Sequence, residues 1–359
     1  MKHLKSLVCI LISFAVLIMG CPVYAYFDSN TQAALNDTAE YVLKTVTQPQ
    51  IGSIGGEWGI IGLVRSGYNV PGDYLESYYT RVEEYVKACG GVLHERKFTE
   101  YSRLILALTA IGKNPADVAG YNLLTPLGDY DGTLLQGING PIWALIALDS
   151  GGYEMPVNTR AKTQATRDMY IDYILSRQLK DGGFALTGVR EDAVSDADIT
   201  GMAVQALSKY QDRPDVKEAT NKAIACLSQM QNQDGGYSSG NSENSESCVQ
   251  VIVALCEMGI PLDDARFVKD GNTVLDGLMK YYISGGGFLH ILGSQESNLM
   301  ASEQGLYALA AVKRLAQGQS SLYDMSDITK ASRDFLTSEK TISTIVKAVY
   351  SVLYCITAV

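Results

Sequence analysis

The chain has 359 residues, of which 47% are apolar and 19% charged, and its 29 basic and 39 acidic residues give a net charge of −10. This composition supplies enough apolar surface for a large core and excludes an intrinsically disordered chain. The basic residues are scattered among acids, whereas a protein that neutralises phosphates needs them clustered. Nucleic acid is therefore excluded as a partner.

The first 25 residues have the pattern of an export signal. Lys2 and Lys5 precede an apolar stretch of 14 residues at 7–20, and Val23-Tyr24-Ala25 has the spacing of small residues that signal peptidase recognises. The stretch is short for a transmembrane helix. An alternative interpretation is a lipoprotein signal that ends at Cys21, which would then carry lipid. We predict an extracellular or cell-surface protein in either case.

Five cysteines remain after this signal, and they follow no paired spacing that would indicate a disulfide framework. Cys248 and Cys256 fall inside apolar segments with helical character. A free cysteine in such a segment behaves as a small apolar residue, so we predict buried thiols.

An internal repeat dominates the rest of the chain. An Ala-Leu or Gly-Leu pair recurs six times in apolar segments, at Gly62-Leu63, Ala107-Leu108, Ala147-Leu148, Ala206-Leu207, Ala254-Leu255 and Ala308-Leu309. Amphipathic segments alternate with them, at residues 31–47, 73–89, 115–127, 160–178, 215–231 and 271–283. Apolar helices belong inside and amphipathic ones at the surface. The pattern predicts an all-α fold, a single α6/α6 toroid over residues 26–327 with six inner and six outer helices.

The turns that lead into the inner helices share a second pattern. Paired glycines precede an aromatic residue at 55–58, 181–184, 234–237 and 285–288. Glycine allows a tight reversal of the chain, and the aromatic ring fills the gap between neighbouring repeats. In two of these turns a glutamine, Gln178 or Gln231, stands four residues before the first glycine.

These Gln-x3-Gly-x-aromatic repeats resemble the α/α-toroid superfamily of squalene and terpene cyclases, prenyltransferase β subunits, complement thioester domains and cobalamin carriers. More closely, residues 50–327 resemble the secreted prenyltransferase/squalene-oxidase-repeat proteins of Gram-positive bacteria. The matching stretches lie at residues 55–58, 99–103, 136–141, 196–200, 266–269 and 302–304. The resemblance implies the toroid, but one fold hosts unrelated chemistries and the activity does not follow from it.

In such a ring the N-termini of the inner helices meet at one mouth. Aligning the repeats by the Ala or Gly of each pair places both tryptophans at one offset and several acids nearer the mouth. The predicted ligand-binding residues are Trp58, Arg103, Trp143, Glu246, Gln250, Glu303 and Gln304. The tryptophans would stack on the ligand, the arginine would pair with an anionic group, and the others would orient polar groups. Alternatively, the acids cap helices and the tryptophans fill the core.

Two enzyme classes remain open at the same mouth. The resemblance to protonating cyclases implies an Asp-x-Asp-Asp motif, which here reads Asp196-Ala197-Asp198-Ile199. Asp198 would be the general acid with Asp196 beside it, and Ile199 replaces the third carboxylate. A glycoside hydrolase needs two nearby carboxyl groups, and Asp198, Glu246 and Glu303 come from consecutive inner helices.

This chain lacks residues that two further activities of the superfamily require. The zinc site of prenyltransferases is only half matched, because Glu246-Ser247-Cys248 resembles its first part but Ala301 stands where a histidine is required. The complement thioester requires a cysteine before Gly-Glu-Gln, and residues 301–304 contain none. We therefore predict no metal site and no cofactor.

The main functional prediction is an exported binding module for a small molecule or glycan, including an isoprenoid or a cobalamin-like ligand. Cobalamin carriers close the mouth with a second domain, which another chain would have to supply here. Cyclase, glycoside hydrolase and protein-interaction scaffold are the alternatives. Residues 328–359 are apolar towards the end, with Lys347 as the one charge in 342–359. They suit a packing helix or a weak membrane anchor.

Overall fold

The structure is a computed structural model, and it describes residues 26–189, 192–240 and 242–328. The predicted export signal at 1–25 and nearly all of the apolar C-terminal segment lie outside the described residues. Within the described part of the chain, the α-helices are α1 (Ser29–Thr45), α2 (Trp58–Arg65), α3 (Gly72–Ala88), α4 (Thr99–Ala110), α5 (Tyr130–Thr133), α6 (Asn139–Ser150), α7 (Arg167–Ser176), α8 (Ala197–Leu207), α9 (Pro214–Met230), α10 (Ser245–Glu257), α11 (Val274–Met279) and α12 (Leu299–Ala316).

The even-numbered helices α2, α4, α6, α8, α10 and α12 form the inner ring. Each contacts the next one along the chain, and α12 contacts α2, so the ring closes on itself. Almost every side chain of α4, α6 and α10 is buried. The protein is therefore an all-α toroid, and the predicted fold class is confirmed.

The outer layer departs from the prediction in three places. Residues 115–127 do not form a helix, because Ala119 and Gly120 adopt positive φ and Pro126 lies in a short 3-10 turn, Thr125–Gly128. The segment predicted at 160–178 is helical only as α7, since Thr166 caps its start by accepting from the Met169 amide. The one predicted at 271–283 shortens to α11, which begins after the capping box of Thr273.

The repeated glutamines tie each turn to the repeat that follows it. The side-chain nitrogen of Gln178 donates to the carbonyl oxygens of Gly182 and Ala219, both at 2.8 Å. Gln231 donates in the same way to Gly235 at 3.2 Å and Phe267 at 3.0 Å. The glutamine thus binds its own glycine turn and the backbone of a neighbouring segment, which accounts for the recurring spacing.

Replacing Gln231 by Ala is expected to lower the free energy of unfolding by about 1 to 3 kcal/mol. The side chain is buried, and its loss leaves the carbonyl groups of Gly235 and Phe267 without a donor. Urea denaturation measures the change. Gln233→Ala, at an exposed side chain two residues away, is the control, and an equal loss in both variants would contradict the assignment.

Gly140 in α6 marks a close approach that only glycine permits. A β-carbon there would stand 1.8 Å from the carbonyl oxygen of Thr133. Gly140→Ala is expected to lower the free energy of unfolding by about 2 kcal/mol, because the backbone must shift to relieve the overlap. Gly72→Ala is the control, since nothing lies within 4 Å of its β-carbon position. Melting temperatures that are equal in the two variants would overturn this expectation.

Residues 317–328 follow α12 and close the end of the ring opposite the mouth. Arg65 donates to the Leu322 carbonyl at 3.0 Å and to the Asp327 carboxylate at 2.9 Å. The Tyr323 amide donates to the partly buried Glu257 carboxyl group at 3.0 Å. The toroid therefore has a floor at this end, built by its own chain.

Cys226, Cys248 and Cys256 are buried free thiols, as predicted for the last two, and Cys89 is half-buried and also free. Burial raises the pKa of the Cys248 thiol to about 12. Among the helices of the described residues, none combines the length and the apolar character needed to cross a membrane.

Candidate functional site

Four aromatic side chains fill the lumen below the mouth. The rings of Trp58 and Trp143 lie 5.1 Å apart between centroids, and Trp58 lies 5.6 Å from Tyr307. Tyr323 rises from the floor segment and meets Trp143 edge-on at 6.1 Å. The structure thus brings the two predicted tryptophans together as an aromatic layer, and Trp58 remains partly exposed.

The predicted glutamines form a hydrogen-bonded group beside this layer. The side-chain nitrogen of Gln250 donates to the Tyr307 hydroxyl at 2.9 Å and to the Gln304 side-chain oxygen at 3.3 Å. The Tyr307 hydroxyl donates to that same oxygen at 3.0 Å. Gln205 donates to the Gln250 carbonyl at 2.9 Å. These amides bind one another and hold Tyr307, and Gln304 keeps some exposure.

Arg103 is occupied by protein carboxylates. Its Nε donates to Glu57 at 3.0 Å, and its Nη2 contacts Glu100. Glu57 also accepts from the Gly52 amide at 2.9 Å, and burial raises the pKa of its carboxyl to about 7 against the opposing effect of Arg103. Two protein carboxyl groups thus hold Arg103 in place, and its pairing with an anionic ligand group stays a prediction.

Glu303 supports the first glycine turn. One oxygen accepts from the Gly55 amide at 3.0 Å, and the other is buried without a hydrogen-bond partner. Burial raises the pKa of this carboxyl to about 8, and the nearby Glu57 raises it further. A carboxyl group with such a pKa carries a proton at neutral pH, and the contact of Glu303 with a ligand stays a prediction.

Asp196 is the N-cap of α8. Its Oδ1 accepts from the amides of Asp198 at 2.9 Å and Ile199 at 3.0 Å, and its Oδ2 accepts from the Ser239 hydroxyl at 2.6 Å. Ser239 belongs to β1 (Ser238–Ser239), which pairs antiparallel with β2 (Ser242–Glu243). One carboxylate oxygen of Asp196 thus caps α8 and the other binds Ser239, and a catalytic role for Asp196 stays a prediction.

Asp198 stands one residue inside the same helix and has a different environment. Its Oδ1 is buried and has no hydrogen-bond partner. Burial raises the pKa of Asp198 to about 6, the charges of Asp196 and Glu246 raise it further, and the Ser247 hydroxyl lowers it. A carboxyl group whose pKa is raised in this way can hold a proton near neutral pH and act as a general acid.

Glu246, at the start of the next inner helix, forms a pair with His290. The histidine Nδ1 lies 2.9 Å from both carboxylate oxygens, and the Ser245 hydroxyl oxygen lies 3.2 Å from one of them. The loop that carries His290 is fixed to α10, because the Ser245 amide donates to the His290 carbonyl at 3.1 Å and its hydroxyl to the Leu289 carbonyl at 2.7 Å.

Sequence reasoning did not identify His290 as part of the site. The partners are 44 residues apart in sequence, with Glu246 in α10 and His290 in a loop that follows the fourth glycine turn. The one local signal is the position of His290, two residues after the aromatic residue of the fourth glycine turn, Phe288. The side chain of Glu246 is 9% exposed and that of His290 is 48% exposed, so the imidazole is the part of the pair that faces solvent.

A separate cavity of about 540 Å³ lies at the outer edge of the ring beside Gly91. None of the predicted ligand-binding residues lines it. It is lined by Gly90, Gly91, Val92, His94, Glu95, Phe98, Tyr101, Tyr121, Asn122, Thr125, Pro126, Val157, Asn158, Thr159 and Arg160.

Comparison with solved structures finds the same fold in a carbohydrate-active enzyme. The unsaturated glucuronyl hydrolase of Bacillus sp. GL1, described as responsible for the degradation of glycosaminoglycan, is 15% identical with a TM-score of 0.51, and the match covers 81% of this chain and 97% of that one. At this identity the likeness shows the fold alone. A related structure titled as a UGL variant with the saccharide dGlcA-Glc-Rha-Glc is 13% identical, with 82% and 98% covered and a TM-score of 0.44. No family model and no curated protein matches the chain.

Proposed function

We propose that the mouth of the toroid binds a saccharide and hydrolyses a glycosidic bond with Asp198 as the general acid. The observation that carries this proposal is the buried, unpartnered carboxyl oxygen of Asp198, with its pKa raised to about 6, next to the Glu246–His290 pair. Glycoside hydrolysis needs a proton donor for the leaving oxygen and a separate base for water or a nucleophile. Two other predicted acids at the mouth, Asp196 and Glu303, accept hydrogen bonds from backbone amides.

The aromatic layer and the fold comparison support a saccharide as the ligand. Trp58 is partly exposed above Trp143 and Tyr307 and offers a flat apolar surface for stacking on a sugar ring. The unsaturated glucuronyl hydrolase that shares the fold acts on glycosaminoglycan. The proposal therefore selects the glycoside hydrolase among the alternatives that the sequence left open.

Cyclisation of an isoprenoid fits the same residues less well. Protonating an alkene requires a strong acid, and a pKa raised to about 6 makes Asp198 a weaker one. The neighbouring carboxylate of Asp196 is bound to two amides and a serine hydroxyl. An oxygen leaving group is more basic than an alkene and accepts a proton from an acid of this strength.

Tryptophan fluorescence tests the ligand class directly, because the two tryptophans of the chain both lie in the lumen. The purified protein is titrated with oligosaccharides of different composition, an isoprenoid diphosphate, squalene in detergent, and cobalamin. We expect a saturable change with at least one oligosaccharide. A saturable change with isoprenoid or cobalamin and with no saccharide would overturn the proposal.

A further inference from the structure

The Glu246–His290 pair fixes which nitrogen of the imidazole carries the proton. Both oxygens of an ionised Glu246 accept hydrogen bonds and cannot donate them. Because Nδ1 lies 2.9 Å from both, it must be the protonated nitrogen of a neutral ring. Nε2 then keeps its lone pair, on an imidazole that is about half exposed at the mouth.

The other described histidine has the opposite arrangement. Nδ1 of His94 accepts from the backbone amides of Arg96 at 3.0 Å and Lys97 at 3.1 Å. This nitrogen therefore holds the lone pair, and Nε2 of His94 carries the proton. In their neutral forms, His94 and His290 therefore carry the proton on opposite ring nitrogens.

We infer that His290 is the general base of the proposed hydrolysis and that Glu246 positions it, an inference that rests on the proposed function. Glu246 is poorly placed to be the base itself, because Nδ1 of His290 contacts both of its oxygens and its side chain is 9% exposed. Nε2 of His290 is the basic atom of the pair that a water molecule reaches.

The step balances without a further reactant. Nε2 takes a proton from water as the water oxygen bonds to the anomeric carbon. The bond between that carbon and the glycosidic oxygen breaks, and Asp198 gives its proton to the departing oxygen. The imidazolium next to the Glu246 carboxylate then returns a proton to solvent, and Asp198 regains one from it. This use of Glu246 resembles the carboxylate that orients and stabilises a catalytic histidine in hydrolase triads.

The tautomers are tested without any substrate. Nitrogen NMR of the protein labelled with ¹⁵N-histidine, at a pH where both rings are neutral, distinguishes a protonated Nδ1 from a protonated Nε2. We expect protonated Nδ1 in His290 and protonated Nε2 in His94. A His290 ring with protonated Nε2 would overturn the inference, because that atom could not accept a proton from water.

Kinetic measurements on a glycan that the protein cleaves test whether His290 is the general base. In His290→Asn the side-chain amide takes the place of Nδ1 and keeps a donor to Glu246, while the base is lost. We expect kcat to fall by roughly 10²- to 10⁴-fold with KM within a few fold. Added imidazole is expected to restore part of the activity of His290→Gly. His94→Asn, whose amide oxygen replaces the accepting Nδ1, is the control and should retain the wild-type kcat.

The outcomes separate this inference from the proposed function. If His290→Asn keeps the wild-type kcat while Asp198→Asn is inactive, only the assignment of the base is overturned. If the wild-type protein cleaves none of the glycans that it binds, the proposed hydrolysis is overturned and the catalytic role of His290 with it.

Discussion

Asp198→Asn is expected to lower kcat on a cleaved glycan by roughly 10²- to 10⁴-fold, which is the usual contribution of a positioned general acid. Asparagine has the same shape and leaves the buried site filled, but it cannot transfer a proton to the leaving oxygen. The affinity measured by tryptophan fluorescence should stay within a few fold of wild type, because Asp198 lies nearer the mouth than the aromatic layer. Single-turnover kinetics measures the chemical step.

Asp196→Asn is the matched control for this prediction. Asparagine is as good an N-cap as aspartate and retains an acceptor for the amides of Asp198 and Ile199. Because the cap is retained, we expect this variant to keep its kcat within about threefold. A threefold change corresponds to about 0.7 kcal/mol in activation free energy. Equal inactivation of both variants would show that the cap, and not proton transfer by Asp198, limits the reaction.

The stability of the protein is expected to fall as the pH rises from about 5 to 8, and Glu303 is the main cause. Its pKa is about 8 in the folded protein against 4.5 as the ordinary value. The folded state therefore binds the proton more tightly than the unfolded chain does, and this stabilisation is lost as the pH rises through the folded pKa. Glu57, with a pKa of about 7, acts in the same direction.

Glu303→Gln isolates this effect. The amide oxygen still accepts from Gly55, and the neutral side chain needs no proton at any pH in this range. Between pH 5 and 8 the wild type should lose roughly 2 to 4 kcal/mol more unfolding free energy than the variant does. Urea denaturation at several pH values measures this. Glu84→Gln, at an exposed position on α3, should follow the wild-type curve, and a Glu303→Gln curve parallel to it would refute the account.

The ring was predictable because its determinants are local. Each inner helix is a largely apolar segment, and each Gln-x3-Gly-x-aromatic turn is closed by a hydrogen bond from the glutamine to the glycine four residues later. Phe184, Tyr237 and Phe288 are buried as the pattern predicts. Residues 115–127 were not predictable from amphipathicity alone, because the backbone conformation at Ala119 and Gly120 prevails over the apolar periodicity.

The candidate site was only partly predictable. Helix offsets place Trp58, Trp143 and Asp198 at one end, and the structure brings the tryptophans together. Offsets do not reveal the partners that side chains choose across the ring, such as Glu57 for Arg103, which is 46 residues away. The same limit hid His290 from the sequence analysis. These pairings depend on which loops pack together, a tertiary property with no short-range signal.

Product analysis of a glycan panel tests the central claim most directly. The purified protein is incubated with defined oligosaccharides in ¹⁸O-labelled water, and mass spectrometry follows the shortened products. The account predicts that the wild type releases products from at least one oligosaccharide with one ¹⁸O atom at each cleaved end, and that Asp198→Asn releases none. Oligosaccharides that change the tryptophan fluorescence but remain uncut by the wild type would contradict it and leave a saccharide-binding protein.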